Sequence, residues 1–501
     1  MQISAETGDE VATNFKSDDS FLRKLAVGAA GTNATIERLK ALGFNPIELE
    51  RGSTGFKIWK KIKIKRVRVP DILCLKTGLR FESRGKTKPE VSMSHSLKDP
   101  RRAWDSGMRD DDYVSIVVFE QSTESPIDLK RTSPVHFISV KDLRDAFAGK
   151  RVTITKPKGV EEGSEIRVVW TSAIANQRST VSEVSATRLR LMPAAAGRVQ
   201  TVQLRRSNGA IVLAPQVQMN DAVEANQIVA AAVPVTLAPT CPPAVDEAYF
   251  VAKLASINLS ERYAAAKALR YRRYTAARPA LEDRMNHAEE DIYVQLEAAA
   301  ALAAHNHAAG WIFIETKLRS SVLDVPLETQ LETLIVASEI QQPRSECLLI
   351  EVLRDTRRDE ELRAGAAWAL GQFATASAAT ALVDTFNSTA LEVKSEAARA
   401  LLRITGPQVA HVVELLKTCD PSRRDGISWA LARTGGFDPR AILLNADDNL
   451  RRWVSYIVGH GKDRLAEADV DAICGADPEV YFAASVLWQI LASWVDGLTE
   501  F

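Results

Sequence analysis

A short phrase recurs along the second half of the chain and constrains the fold more than any other feature. RYAAAKAL at Arg262 to Leu269 returns as QLEAAAAL from Gln295, QLETLIVA from Gln330, RAGAAWAL from Arg363, KSEAARAL from Lys394 and RDGISWAL from Arg424. Degenerate copies start at Arg451 (RRWVSYIV) and Val480 (VYFAASVL), and successive starts lie 27 to 35 residues apart. That period is one helical hairpin, a unit that cannot bury its apolar face alone and does so by stacking on the next. Alanines within each phrase allow close approach of helices, and Leu and Trp fill between layers. Ala238 to Val245 (APTCPPAV) reads as a Pro-rich linker ahead of the array.

The array resembles HEAT and the related armadillo-type repeats, which implies an all-α solenoid of about eight hairpins over residues 246–501. Such a fold presents a long concave surface and normally binds protein or nucleic acid. Arginines such as Arg270, Arg272, Arg273, Arg357, Arg358, Arg423, Arg424, Arg451 and Arg452 fall near helix ends, interleaved with acids, which predicts a mixed solvated surface. His305 and His307 lie at a hairpin loop without a Cys or acidic partner beside them, so they are not read as metal ligands.

The chemistry sits near the other end. In RVRVPDILCLKTGLRFESRGK, residues 66–86, a largely apolar run from Val67 to Leu75 carries Pro70-Asp71, and a Thr77-Gly78 turn follows. A second strand-like run then sets Glu82, Arg84 and Lys86 at alternate positions, hence on one strand face, with Asp71 on the preceding strand able to meet them. Two carboxylates and a cation converging at a hairpin suit a divalent metal and attack on a phosphate.

Pro70-Asp71, ten intervening residues and then Glu82 with basic residues just after it resemble the active-site hairpin of the PD-(D/E)xK nuclease superfamily. The flanks agree: a helix over Asn33 to Leu42 with Asn33 as N-cap and Gly43 at its end, a helix over Pro100 to Gly107, and a buried strand over Tyr113 to Phe119. A strand at Pro134 to Val140 and a helix at Asp142 to Ala148 complete a restriction-endonuclease-like α/β domain over residues 1–150. The resemblance implies that Asp71, Glu82 and the Ser83 carbonyl hold Mg²⁺ or Mn²⁺. It also implies that Lys86 or Arg84 orients the attacking water and stabilises charge. Arg84 stands where the family usually has lysine, and arginine does not exchange a proton near neutral pH. Three readings stay open: Lys86 substitutes from the same face, Arg84 stabilises charge alone, or the site is degenerate.

The lead-in GFKIWKKIKIKRVRV, residues 55–69, alternates cations with Ile and Val. Lys57, Lys60, Lys61, Lys63, Lys65, Arg66 and Arg68 predict a basic strand face that contacts the phosphate backbone of DNA, with salt-dependent affinity. The bland reading is an edge strand protected by lysines. Glu37 is read as a solvated helix carboxylate; Ser92, Ser94 and His95 as candidate cleft residues; and Asp110, Asp111 and Asp112 as a solvated turn. Residues 151–237 show short alternating runs and predict a small all-β, barrel-like domain to which no chemistry is assigned. Within it, VQMNDAVEANQIVAA from Val217 resembles a barrel-sandwich hybrid phrase without its modified lysine.

Sixty-four basic residues balance sixty-four acidic ones, so any charge for binding nucleic acid must be local. The five cysteines are scattered without a CxxC pair, which argues against a disulfide framework or zinc site and for a reducing cytoplasm. No apolar run approaches the ~20 residues of a membrane span, and no signal peptide is expected at MQISAETGDEVATNF. The chain is thus expected to be multidomain: a metal-dependent nuclease acting on DNA, with a solenoid that docks substrate or a protein partner. The alternative is an inactive nuclease-like scaffold for DNA or protein, and a third reading likens the solenoid to the HEAT-type lyases that handle bilins.

Overall fold

The computed structural model describes residues 18–49, 67–121, 128–156, 165–206, 211–274, 276–461, 463–486 and 493–498. The basic positions Lys57, Lys60, Lys61, Lys63, Lys65 and Arg66 lie outside them; Arg68 lies within and is exposed. The chain divides into a unit ending at Ala264 and a unit from Ala265 onward, with Val251–Ala255 grouping with the second.

The first unit is strand-rich and built on a mixed sheet. Its strands are β1 (Pro46–Glu48), β2 (Ile72–Cys74), β3 (Arg80–Lys86), β4 (Val91–Ser96), β5 (Tyr113–Gln121), β6 (Leu129–Arg131) and β7 (His136–Ser139). The sheet runs β1-β2-β3-β5-β6, with β7 also on β5. The pairs β1/β2 and β2/β3 are antiparallel, and β3/β5 is parallel. β4 leaves this sheet and pairs with β9 (Glu165–Trp170), which also pairs with β8 (Thr153–Thr155), so chain beyond residue 150 shares a sheet with chain before it.

Helix α1 (Asp18–Ala41) covers one face. It starts well before the expected Asn33, which lies exposed in its middle instead of capping it. The apparent start signal is overridden by packing: Ala26, Val27, Ala34 and Leu39 are buried, and Thr35 Oγ1 bonds both the Gly31 carbonyl and Ser115 Oγ at 2.9 Å. Phe44 N–H donates to the Leu39 carbonyl and Gly43 sits at φ +83°, a left-handed stop. On the opposite face, Val114, Ile116 and Ile138 pack with α2 (Val140–Ala148), Met93, Trp104 and Trp170.

Two expected elements are shorter. Only Ile72–Cys74 of the apolar run is strand, since Pro70 has no N–H to give a ladder. The expected helix over Pro100 to Gly107 is a single 3₁₀ turn, Pro100–Arg102, capped by Asp99. Turns follow to Gly107, which sits at φ +80°, where a side chain would strike the Arg68 carbonyl.

Beyond β9, strands β10 (Ser172–Ile174), β11 (Ser179–Val184), β12 (Arg188–Pro193) and β13 (Gln200–Gln203) form small antiparallel sheets with Ala222–Val223 and Ile228–Ala231 around their own apolar core. The Pro-rich stretch follows the first unit's surface, where Val245 N–H donates to the Lys76 carbonyl.

The second unit is helical. The described residues of all eight copies fall on helices that begin at Leu259, Ile292, Leu327, Glu360, Leu391, Arg424, Asp448 and Pro478, and helices between them form the other layer. The alanines do what their spacing predicts: Ala298, Ala299, Ala300, Ala301, Ala366 and Ala367 are fully buried. Several arginines expected in a mixed solvated surface are instead internal ties. Arg270 is buried with Glu339 at 2.5 Å and Glu297 at 3.6 Å, and buried Arg424 reaches Asp447 at 2.6 Å. His305 holds the Leu269 carbonyl, and both loop histidines contact the Tyr274 ring. No described helix is long and apolar enough to cross a membrane.

Candidate functional site

Strand β3 divides its residues between two faces. Phe81, Ser83 and Gly85 turn toward α1, where Gly85 meets the Val27 carbonyl so closely that a methyl group has no room, and a methyl on Gly31 would lie 2.6 Å from Gly85 N. Arg80, Glu82, Arg84 and Lys86 turn the other way. The helix thereby presses the small face and fixes the charged one.

The β2/β3 register pairs Ile72 with Phe81 and Leu73 with Arg80. One residue further along that register sets Asp71 opposite Glu82. Opposed residues of an antiparallel pair share a face. Asp71 is buried, 6% exposed, and its Oδ2 accepts the Ser83 N–H at 2.6 Å. Its backbone carbonyl takes the Leu49 N–H at 2.7 Å, so both strands hold it. Glu82 Oε1 lies 2.5 Å from Arg84 Nη2.

Lys86 Nζ donates to the Ser92 carbonyl at 2.9 Å. Its pKa falls to about 8, chiefly because the ammonium is desolvated, then because Arg84 and Arg167 stand near; Glu90 acts in the opposite sense. It is the proton-exchanging group on this face, which Arg84 cannot be.

The two carboxylates and the Ser83 carbonyl are hard oxygen donors. Such a set suits Mg²⁺ or Mn²⁺, which keep several waters and need only one or two protein carboxylates. It does not make a closed cage: no group of three or more His, Cys, Asp or Glu able to hold a metal occurs among the described residues. Glu37 is exposed on α1.

Beside the charged end of β3 opens a cavity of about 770 Å³ between β3, β4 and β9. Six cations line it, Arg68, Arg84, Lys86, Arg102, Lys156 and Arg167, with Ser92, Ser94, His95 and one carboxylate, Glu165. His95 Nδ1 accepts the Trp104 N–H at 3.3 Å, which gives that histidine a positioning task.

The aspartate run is not a solvated turn throughout. Asp112 is fully buried and binds Arg80 at 2.6 and 3.1 Å, with Arg109 Nη2 at 3.1 Å. Asp110 and Asp111 stay exposed and pair with Arg144 and Arg109. Neither Arg80 nor Arg167 was marked by the sequence, since their partners lie far along the chain.

Comparison with known proteins adds one family. A HEAT-repeat family model matches residues 347–432. No curated protein sequence matches the chain. Among solved structures, human deoxyhypusine hydroxylase in complex with glycerol is 19% identical with a TM-score of 0.22, covering 41% of this chain and 82% of that one. The complex of CpcE and CpcF of phycocyanin lyase from Nostoc sp. is 17% identical with a TM-score of 0.23, covering 49% of this chain and 97% of that one. The chain is therefore multidomain, with a strand-rich N-terminal region and a helical C-terminal region carrying HEAT repeats.

Proposed function

We propose that the N-terminal unit is a PD-(D/E)xK-type, metal-dependent nuclease that hydrolyses phosphodiester bonds in DNA, and that the HEAT-type solenoid docks substrate or a protein partner. The observation that carries this reading is the β2/β3 register: continued one residue past the pair Ile72 and Phe81 it brings Asp71 opposite Glu82, while Arg84 and Lys86 follow on the same face of β3. The order of strands supports it: an antiparallel β1-β2-β3 run joined in parallel to β5, with α1 across β3.

Asp71, Glu82 and the Ser83 carbonyl would hold the ion, which when bound polarises the phosphate and offsets its developing charge. Arg84 places a permanent cation beside that phosphate, a fixed charge of the kind that stabilises an anionic transition state. Lys86, with a pKa near 8, holds a proton that it can release close to neutral pH. Arg68 and the cationic cavity draw the backbone toward this face.

A second reading is favoured by one contact. Arg84 lies on Glu82 at 2.5 Å and competes with a metal for that carboxylate, as an inactive DNA- or protein-binding scaffold would allow. Cleavage of plasmid and single-stranded DNA with Mn²⁺ or Mg²⁺ separates the two. Nuclease action requires that Glu82→Gln lose at least about 100-fold in rate, roughly 3 kcal/mol of transition-state stabilisation. Binding of DNA without metal-dependent cutting by the wild type selects the scaffold.

A further inference from the structure

Residues 493–498 fold back onto earlier repeats. The helix Pro478–Val486, which carries the eighth copy of the phrase, packs on Asp448–Gly461, and that helix packs on Arg424–Ala432. The segment reached after residues 487–492 touches Arg424–Ala432 and Leu391–Thr405, the helices of the sixth and fifth copies. It therefore lies two to three hairpins back along the array.

Three successive side chains make the contact. Ser493 Oγ donates to Asp425 Oδ2 at 3.1 Å. The Trp494 ring stands 5.8 Å from that of Phe386, and Lys394 Nζ lies over it at 4.7 Å from the centroid. Val495 is buried. The turn Trp494–Gly497 closes on itself, with the Leu498 N–H donating to the Val495 carbonyl at 3.1 Å.

The receiving surface is built by the repeats themselves. Phe386 is buried in the 3₁₀ turn Thr385–Asn387, where Thr385 Oγ1 donates to the Leu382 carbonyl at 2.7 Å. Asp384, just before that turn, is held by Arg354 and Arg423 at 2.9 and 2.8 Å. Gly426 gives the ring its room, since a methyl group there would lie 2.6 Å from Phe386. Lys394 and Asp425 stand half-buried near the starts of their helices. An aromatic floor, an ammonium and a hydroxyl acceptor thus meet in one place on the solenoid.

We infer that this surface docks a peptide segment of a partner protein in which a hydroxyl residue precedes a tryptophan, and that residues 493–498 occupy it as an internal competitor. The chemistry is read from the occupant: indole is the ring a lysine ammonium prefers, and it brings a large apolar area to Phe386. A buried tryptophan in a preformed pocket is the kind of anchor that dominates an interface. The inference rests on the docking role proposed above for the solenoid and not on cleavage of DNA. A segment tied to its site by a short linker competes at an effective concentration on the order of 1 mM. A free peptide with a dissociation constant of about 100 μM would therefore bind roughly tenfold more weakly while that segment is in place.

The test is fluorescence anisotropy of a labelled synthetic peptide of residues 491–499 titrated with the full chain. The Trp494→Ala chain is expected to bind the peptide at least tenfold more tightly than the wild-type chain does. A peptide carrying the same substitution should bind that chain at least tenfold more weakly, and adding Lys394→Met to the chain should cost about threefold, as loss of an exposed cation–π contact does. Hydrogen exchange at the starts of Leu391–Thr405 and Arg424–Ala432 should rise in Trp494→Ala and return when peptide is added. The Glu82→Gln chain should bind the peptide as the wild type does, so failure of cleavage and failure of docking are read separately. No binding by Trp494→Ala, or equal binding by it and the wild type, overturns the inference. So does loss of its cooperative thermal transition, which would make the segment part of the core. A wild-type dimer that Trp494→Ala turns into a monomer assigns the surface to a second copy of the chain and likewise overturns it.

Discussion

Asp71 has one role that the structure shows and one that the proposed function gives it, and a pair of substitutions pulls the two apart. Its carboxylate accepts the Ser83 N–H at 2.6 Å in a buried position, and it stands opposite Glu82 where a cation would sit. In Asp71→Asn the side-chain carbonyl keeps an acceptor for Ser83, so a charged hydrogen bond worth about 1.5–3 kcal/mol becomes a neutral one worth about 0.5–1.5. The net loss of stability is then roughly 1 kcal/mol. In Asp71→Ala the buried Ser83 N–H loses this acceptor and the cost rises to about 1–3 kcal/mol. On the proposed nuclease reading the two are alike for metal binding, because each would remove one of two anionic ligands. Several kcal/mol of charge stabilisation vanish in both, and Mn²⁺-dependent cleavage is expected to fall at least about 100-fold in each. Hydrogen exchange of the β2–β3 peptides reads the stability, and plasmid nicking reads the activity. An Asp71→Asn protein that cuts within about threefold of wild type would falsify the assignment of Asp71 as a metal ligand.

Two further outcomes follow from the same unit. Gly85→Ala places a methyl group against the Val27 carbonyl, so α1 must lift from β3 at a cost of about 1–3 kcal/mol; hydrogen exchange of β3 should accelerate, and unchanged protection would mean that α1 is not seated there. His136 is buried, which lowers its pKa from 6.5 to about 4, and its Nε2 accepts the Ile228 N–H at 2.9 Å. The unfolded chain therefore binds the extra proton first, and stability falls as pH drops from about 6.5 to 4, by roughly 3 kcal/mol in all. Protection of β5 should decline over that window, and the same decline in His136→Gln would show that another group is responsible.

The repeat and the hairpin between Asp71 and Glu82 were legible in the sequence for different reasons. The solenoid phrase returns eight times, and its packing needs are met by near neighbours, so alanine and leucine positions alone locate the helices. Asp71 and Glu82 are joined by one hairpin, and counting one step past its pair Ile72 and Phe81 reaches both. What stayed hidden depends on pairing across long stretches of chain. Asp112 looked like a turn residue until β3 and β5 came together and set Arg80 beside it. Arg167 looked like one cation among many until β9 paired with β4 and brought it onto Ser92. Arg270 and Arg424 looked solvated because their carboxylate partners sit on neighbouring hairpins. The false N-cap at Asn33 is the reverse case, in which a local signal was correct chemistry for a helix start and packing against β3 and β5 outweighed it.

Strand β3 shows why these charges can be close together at all. Four charged residues at alternate positions of one strand would ordinarily lie on a solvated surface, where their side chains move freely and their fields are screened. Here the alternate residues are Phe81, Ser83 and Gly85, and they grow smaller toward the end that meets α1 most closely. The tight seat of Gly85 against Val27 and Gly31 holds the backbone, so Lys86 and Arg84 face the cavity from a fixed strand rather than a loose loop. Each charge then has a partner: Arg80 has Asp112, Glu82 and Arg84 have each other, and Lys86 has Ser92. Rigid positioning is what electrostatic catalysis and anion recognition share, because donors already in place need no reorganisation when charge arrives. A glycine on the buried face is in this sense part of the site, although it touches no ligand.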